Sequence, residues 1–324
     1  MKLSIIIPVY NSEKYIIRCL DSIYNEEIPE SEFEAICVDD FSKDCSLKVL
    51  KSYSKSHSNL LILSHSKNMK QGAARNYGLE KSKGKYIWFV DSDDYIEKEI
   101  IKTLFQKIDK TNPDILQFNA KTITMNGIIK HDIFLSFPID NLSGYDYLKQ
   151  EMLLNYENRL RSVWSKWYKR EFLYKFNLFF EEGIFWEDIV HTLKAVYSAP
   201  QFLYVPVFAY NYVETQNSDL RGKLTAKKFI DTIYFCISSM KFLLENCIDK
   251  DLQMFLCKRY LLTLNKYKIK IIELDFREFI LCFLKLQKMD LNILSHFMDI
   301  SQYSWLTIKS EFIFCWLKKF RITL

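Results

Sequence analysis

Four short apolar runs occupy the first third of the chain: LSIIIPV (3–9), FEAICV (33–38), LLIL (60–63) and YIWFV (86–90). Each has strand length and is continuous rather than alternating, the pattern of a strand buried on both faces. The intervening stretches change to a helical period. Behind Ser12, a capping residue type, Ile16, Cys19, Leu20 and Ile23 fall at i, i+3, i+4 and i+7. A second helix carries Leu47, Val49 and Leu50, and GAARNYGLEKS (72–82) reads as a third, with Gly84 just past its end. Strand alternating with helix at this spacing predicts an α/β fold with a mostly parallel sheet covered by helices on both faces. Such sheets bind ligands outside the carboxyl ends of their strands, at the point where strand order reverses. PVYN (8–11), VDDFS (38–42) and VDSDD (90–94) all lie at such ends, so one pocket could gather them.

Residues 111–222 are less regular. Asn126-Gly127 between KTITM and IIKHDI predicts a type I′ hairpin. A turn at Gly183 should lead into a helix starting near Glu187–Asp188, and QFLYVPVFAYNY (201–212) alternates as a strand. Residues 223–324 contain neither Gly nor Pro, and Phe229, Ile233, Ile237, Met240 and Leu244 recur at helical spacing. The expected division is therefore 1–222 and an all-helical C-terminal region, 223–324.

The composition excludes several classes. With 49% hydrophobic and 16% aromatic residues the chain is not disordered. A net charge of +5 suits an anionic ligand or membrane surface but lacks the dense basic stripe of a nucleic-acid binder. The eight cysteines include no CxxC pair, which points to reduced, mostly buried thiols. The apolar run at the N-terminus is too brief for a signal peptide and breaks at Pro8, and no stretch approaches the ~20 apolar residues of a spanning helix. A cytoplasmic location is expected.

The chemistry concentrates in YIWFVDSDDYI (86–96), where Asp91, Asp93 and Asp94 crowd the end of a buried strand. At ~4 Å and an effective dielectric near 20, each like-charged pair costs on the order of 4 kcal/mol, so something must offset it. Only seven glycines are present, with no GxxxxGK[ST] or GxGxxG loop to cradle phosphate by backbone. A bound nucleotide would then need its diphosphate neutralised by a divalent cation, Mg²⁺ or Mn²⁺, on strand-end carboxylates. The competing interpretation is an Asx-rich turn with Asp94 capping the next helix. No EF-hand fits, since Ile96 stands where its loop requires Gly. Asp39 and Asp40 could accept an imide N–H such as uracil presents, or cap a turn. Arg75 could fork to a phosphate or form a surface ion pair. Glu187 and Asp188, at a helix start, are dipole partners, or Asp188 is a general base. His191, one turn later, reads as a satisfied helix histidine, or as an extra metal ligand or a group that orients the base. Lys166, in VWSKWYKREF, either helps position an anion or belongs to a solvated basic face. His57, His65, His131 and His296 have no partner at ligand spacing.

SIIIPVYNSEKYIIRCLDSI, FEAICVDDFSKDCS, GAARNYGLEKSKGKYIWFVDSDDYI and FWEDIVH, in this order and spacing, resemble the family-2 glycosyltransferases over roughly residues 1–215. The resemblance implies the GT-A fold, a nucleotide-sugar donor and inversion at the anomeric carbon. It makes 1–110 the donor-binding half and 111–222 the acceptor-binding half. Pro8 and Tyr10 would border the nucleoside, and Asp40, supported by Asp39, would accept from the uracil ring. Arg75 would approach the diphosphate. Asp91, Ser92 and Asp93 would form the DxD motif, its two acids holding Mn²⁺ or Mg²⁺, with Asp93 the direct ligand. Asp188 would be the catalytic base. One departure is Phe41, where the family usually has Gly.

A UDP-hexose or UDP-N-acetylhexosamine is the implied donor, and a surface polysaccharide or lipid-linked oligosaccharide the implied acceptor. Three rival readings remain: a sugar-nucleotide pyrophosphorylase, which normally has a Gly-rich loop where PVYNSEK stands; a glycoside hydrolase, which needs no nucleotide; and a non-catalytic scaffold, against which the intact DSD and ED argue. The C-terminal SEFIFCWLKKFRITL (310–324) mixes Phe312, Phe314, Trp316 and Phe320 with Lys318, Lys319 and Arg321. That composition suits peripheral contact with an anionic membrane, or docking on protein.

Overall fold

The computed structural model describes residues 1–124, 126–132, 139–153, 162–215 and 224–270. The four apolar runs form strands β1 (Leu3–Val9), β2 (Phe33–Asp39), β3 (Leu60–Ser64) and β4 (Tyr86–Phe89), and every residue of β1, β2 and β4 is buried. They pair in parallel in the order β3-β2-β1-β4. Helix α1 (Ile16–Tyr24) buries Ile16, Cys19, Leu20 and Ile23, the four positions its periodicity singled out. α2 (Ser46–Tyr53) and α3 (Lys70–Lys81) complete the crossovers. α3 presents Gly72, Ala73, Ala74 and Gly78 inward, and this small-residue face lets it lie close on the sheet.

Beyond β4 the sheet becomes mixed. β5 (Tyr95–Ile96) and α4 (Ile100–Thr111) lead to β6 (Ile115–Ile123), β7 (Ile129–Asp132) and β8 (Ile139–Leu142). Then come α5 (Gly144–Leu153), β9 (Lys166–Lys169), α6 (Arg170–Lys175), α7 (Glu187–Ser198) and β10 (Phe202–Val213). β9 inserts antiparallel between β4 and β6, and β10 closes beside β6 in parallel, giving the order β3-β2-β1-β4-β9-β6-β10-β5. The hairpin at Asn126-Gly127 forms, but with a longer loop than a two-residue type I′ turn. Gly127 N–H donates to Thr124 O (2.9 Å) and Thr124 N–H to Ile128 O (2.9 Å), which leaves Gly127 at φ +73° behind a four-residue turn.

The chain divides into two units, Met1–Glu151 with Asn158–Arg221, and Met152–Glu157 with Gly222–Leu324. In the second, α8 (Ala226–Asn246) and α9 (Lys250–Lys270) pack against each other. Thr225 caps α8 by accepting from Lys228 N–H. The aromatic and basic run over 310–324 lies outside the described residues. No described helix is long and apolar enough to cross a membrane.

Candidate active site

Chain order reverses between β1 and β4: the chain passes from β1 through β2 to β3 on one side, and β4 returns on the other. At the carboxyl ends of these two neighbours lies a cavity of about 330 Å³, a volume that suits a small ligand. Pro8, Tyr10, Asp40, Ser92 and Asp93 line it together, as their strand-end positions require. Ser12 Oγ and Ser92 Oγ lie 2.7 Å apart and tie the two strand ends to each other. Asn68, Lys70, Gln71 and Thr215 also line the cavity and carried no signal in the sequence. Asp39, Arg75, Asp91 and Asp188 are not among its lining residues.

Asp40 is heavily engaged. Its Oδ1 accepts from Met69 N–H (2.7 Å) and faces His65 Nδ1 (2.8 Å), while Oδ2 accepts from Lys70 N–H (2.8 Å). Three of about four acceptor positions are filled, and the one left on Oδ2 is available to an imide N–H. Asp39 is buried behind it and supports the loop through Ser42 N–H (3.3 Å). Phe41 holds φ +65°, with its ring 39% exposed beneath Lys43 Nζ, 3.3 Å from the centroid. A left-handed backbone there explains why Gly is the expected residue. Phe41→Gly should change stability by less than about 1 kcal/mol, because relief of a left-handed penalty of ~1–2 kcal/mol is offset by chain entropy and the lost ring contact. Phe41→Val should destabilise by about 1–2 kcal/mol, since β-branched residues tolerate this conformation worst. Urea denaturation distinguishes the two.

The three acids after β4 have separate duties. Asp94 is fully buried and does not cap the next helix; its Oδ2 accepts from Tyr210 Oη–H (2.7 Å) and its Oδ1 from Val213 N–H (2.7 Å). Tyr210 Oη in turn accepts from Asp91 N–H (3.0 Å), so β10 holds the acidic turn in shape. Asp93 faces the cavity, with Oδ2 accepting from Thr215 Oγ1–H (3.2 Å). Burial first, and Asp91 second, push its carboxyl up to about 6.

Arg75 is not aimed at the cavity. The guanidinium is 2% exposed; Nη2 donates to Asp91 Oδ1 (2.8 Å) and Nη1 to Glu187 Oε1. It joins the acidic turn after β4 to the first turn of α7. Asp188 follows Glu187 in that turn, where the macrodipole favours the anion. Burial, then the Glu187 charge, nevertheless outweighs Arg75 and raises Asp188 to about 7. Trp186, the residue before α7, holds φ +67°, a strained conformation for a bulky side chain. Gly72 of α3 packs against this entry: a Cβ there would lie 2.5 Å from Glu181 O and 3.1 Å from Glu187 Cγ.

His191 sits in an aromatic cage, stacked on Phe180 at 4.0 Å, and burial drives it down to about 3, so it is a neutral packing residue. Lys166 is not on a solvated face. It is fully buried, donating to Ser162 O and Ser165 Oγ (3.0 Å each), and burial lowers it to about 7.

Among the described residues no group of three His, Cys, Asp or Glu side chains could hold a metal ion by itself. The donor set present is the cavity-facing Asp93 and the oxygen of Asp91 that Arg75 leaves, with the Asp91 side chain 21% exposed. That set fits Mg²⁺ or Mn²⁺, which commonly take one or two carboxylates and complete their shell with phosphate oxygens and water.

Residues 4–176, more than half of the chain, match the family model described as Glycosyl transferase family 2. The chain belongs to that family. Over 221 residues it is 31% identical to the poly(ribitol-phosphate) beta-N-acetylglucosaminyltransferase TarS of Staphylococcus aureus, covering 68% of this chain and 36% of that protein. Over 131 residues it is 43% identical to a poly(ribitol-phosphate) beta-glucosyltransferase of Bacillus spizizenii, covering 40% of this chain and 21% of that one. The chain therefore corresponds to well under half the length of these relatives. The crystal structure of S. aureus TarS 1–349 with UDP-GlcNAc superposes with a TM-score of 0.73 at 21% identity, covering 99% of this chain and 90% of that one. The family-2 fold here is the GT-A fold with helices following it in sequence.

Proposed function

We propose that this family-2 member is an inverting glycosyltransferase. It moves a hexose or N-acetylhexosamine from a UDP-sugar to a hydroxyl of a cell-surface polymer, a polyol-phosphate chain or polysaccharide. The observation that carries the reading is the buried Arg75 bridge, which holds the donor-side acid Asp91 and the helix start bearing Asp188 in one fixed relation. The uracil base meets Tyr10 and Pro8, and its imide N–H reaches the open position on Asp40 Oδ2. The diphosphate then lies toward Ser92 and Asp93.

The reaction is a single displacement. The acceptor hydroxyl gives its proton to the Asp188 carboxylate while its oxygen bonds to the anomeric carbon. The bond from that carbon to the diphosphate oxygen breaks on the opposite face, and the nucleoside diphosphate leaves with the electron pair. A base poised near neutrality is ionised at working pH yet basic enough to take a proton from a hydroxyl in the transition state. Asp93 and Asp91 would hold Mg²⁺ or Mn²⁺, whose chemistry when bound is neutralisation of the departing diphosphate.

The test is nucleoside diphosphate release from a panel of sugar nucleotides with Mn²⁺, with Mg²⁺ and with EDTA. The expected result is release from a UDP-sugar, increased by acceptor polymer and reduced at least tenfold by EDTA. Release from no sugar nucleotide would overturn the reading, and full activity in EDTA would remove the metal from it.

A further inference from the structure

The cavity is short of positive charge for the ligand it should take. Two carboxylates, Asp40 and Asp93, line it, and Arg75 is committed elsewhere to Asp91 and Glu187. Among the described residues lining the cavity, Lys70 is the cation. It is also held in an unusual way. As the first residue of α3 it has φ +74°, a left-handed conformation that costs a side-chain-bearing residue roughly 1–2 kcal/mol and that glycine adopts freely. The fold needs only the backbone there, since Lys70 N–H donates to Asp40 Oδ2. A glycine would make that bond with less strain, so the lysine side chain is not required by the loop. Strain of this kind is retained at ligand sites.

The ammonium lies 4.5 Å from the centroid of the Phe185 ring, on the segment that enters α7. Such a contact is worth about 0.5–1 kcal/mol where water reaches it, less than a charge-assisted bond to phosphate, so an arriving anion can draw the ammonium away.

We infer that Lys70 is a diphosphate-binding residue: its ammonium leaves the Phe185 ring and pairs with the donor's phosphate oxygens at the cavity beside Ser92 and Asp93. This assignment rests on the nucleotide-sugar reading. It predicts that the lysine discriminates phosphorylated from unphosphorylated nucleoside, and that its contribution weakens with salt.

The experiment is calorimetry of the full chain with UDP and with uridine, in EDTA at low salt, for the wild type, Lys70→Gly and Lys70→Met. Both variants should bind UDP about tenfold or more weakly while uridine affinity changes less than twofold. Lys70→Gly should melt no lower than the wild type, which separates lost charge from lost fold. Unchanged UDP affinity in both variants would overturn the assignment while leaving the donor reading intact. Equal losses for uridine and UDP would also overturn it, by placing the effect in the Asp40 loop. A wild type that binds neither ligand, in EDTA or with added Mn²⁺, would overturn the donor reading and this assignment with it.

Discussion

Asp188→Asn should lower kcat for sugar transfer by about 10³-fold, within the 10²–10⁴ typical of general-base removal, and leave UDP affinity and the melting temperature close to wild type. The asparagine keeps the shape and loses the proton acceptor. As the proposed base, the same residue should also set the pH dependence. Asp188 is raised to about 7, so the active ionised form is lost as pH falls through that value, and wild-type kcat/KM should drop tenfold per pH unit below it. Steady-state kinetics between pH 5 and 9 checks both statements. A variant that keeps more than a tenth of wild-type turnover, or an unchanged acid limb in Asp188→Asn, would remove Asp188 from the role of base.

Arg75→Met should destabilise the fold by about 3–5 kcal/mol and abolish transfer, because it strands Asp91 and the buried Glu187 without their counter-ion. Burial already pushes the Glu187 carboxyl upward against the pull of Arg75, so without the guanidinium it would take up a proton or draw water inward. Arg75→Lys should recover little, since an ammonium cannot fork to two carboxylates on separate elements. Adding Glu187→Gln to Arg75→Met should restore part of the stability but not the activity, because Asp91 and the start of α7 are still unlinked. Guanidinium denaturation with parallel turnover measurements tests this. A loss below about 1 kcal/mol would mean the bridge is not what unites the site.

The parallel half of the fold was legible because its signals are local. The buried face of α1 and the positions of β1, β2 and β4 follow from apolar period alone. The acids after β4 and at the start of α7 were equally plain as residue types. Their division of labour was not, because it depends on partners distant in sequence: Arg75 and Glu187 are 112 residues apart, Tyr210 and Asp94 are 116 apart. The bonds that hold Asp94 away from helix capping and tie Arg75 to two carboxylates therefore emerge only once β10 and α7 are in place. Lys166 read as surface-compatible because its neighbours are basic and aromatic. Insertion of β9 antiparallel between β4 and β6 buries it, and no local periodicity announces such an insertion. Lys70 was silent for a different reason, since its distinguishing property is a backbone angle.

One hydrogen atom fixes how near α3 and the segment entering α7 can come. Position 72 is the place where they touch, and even a methyl group would wedge them apart. Enlarging that residue would push the segment entering α7 away from α3, so the spacing between these two elements depends on a side chain that is not there.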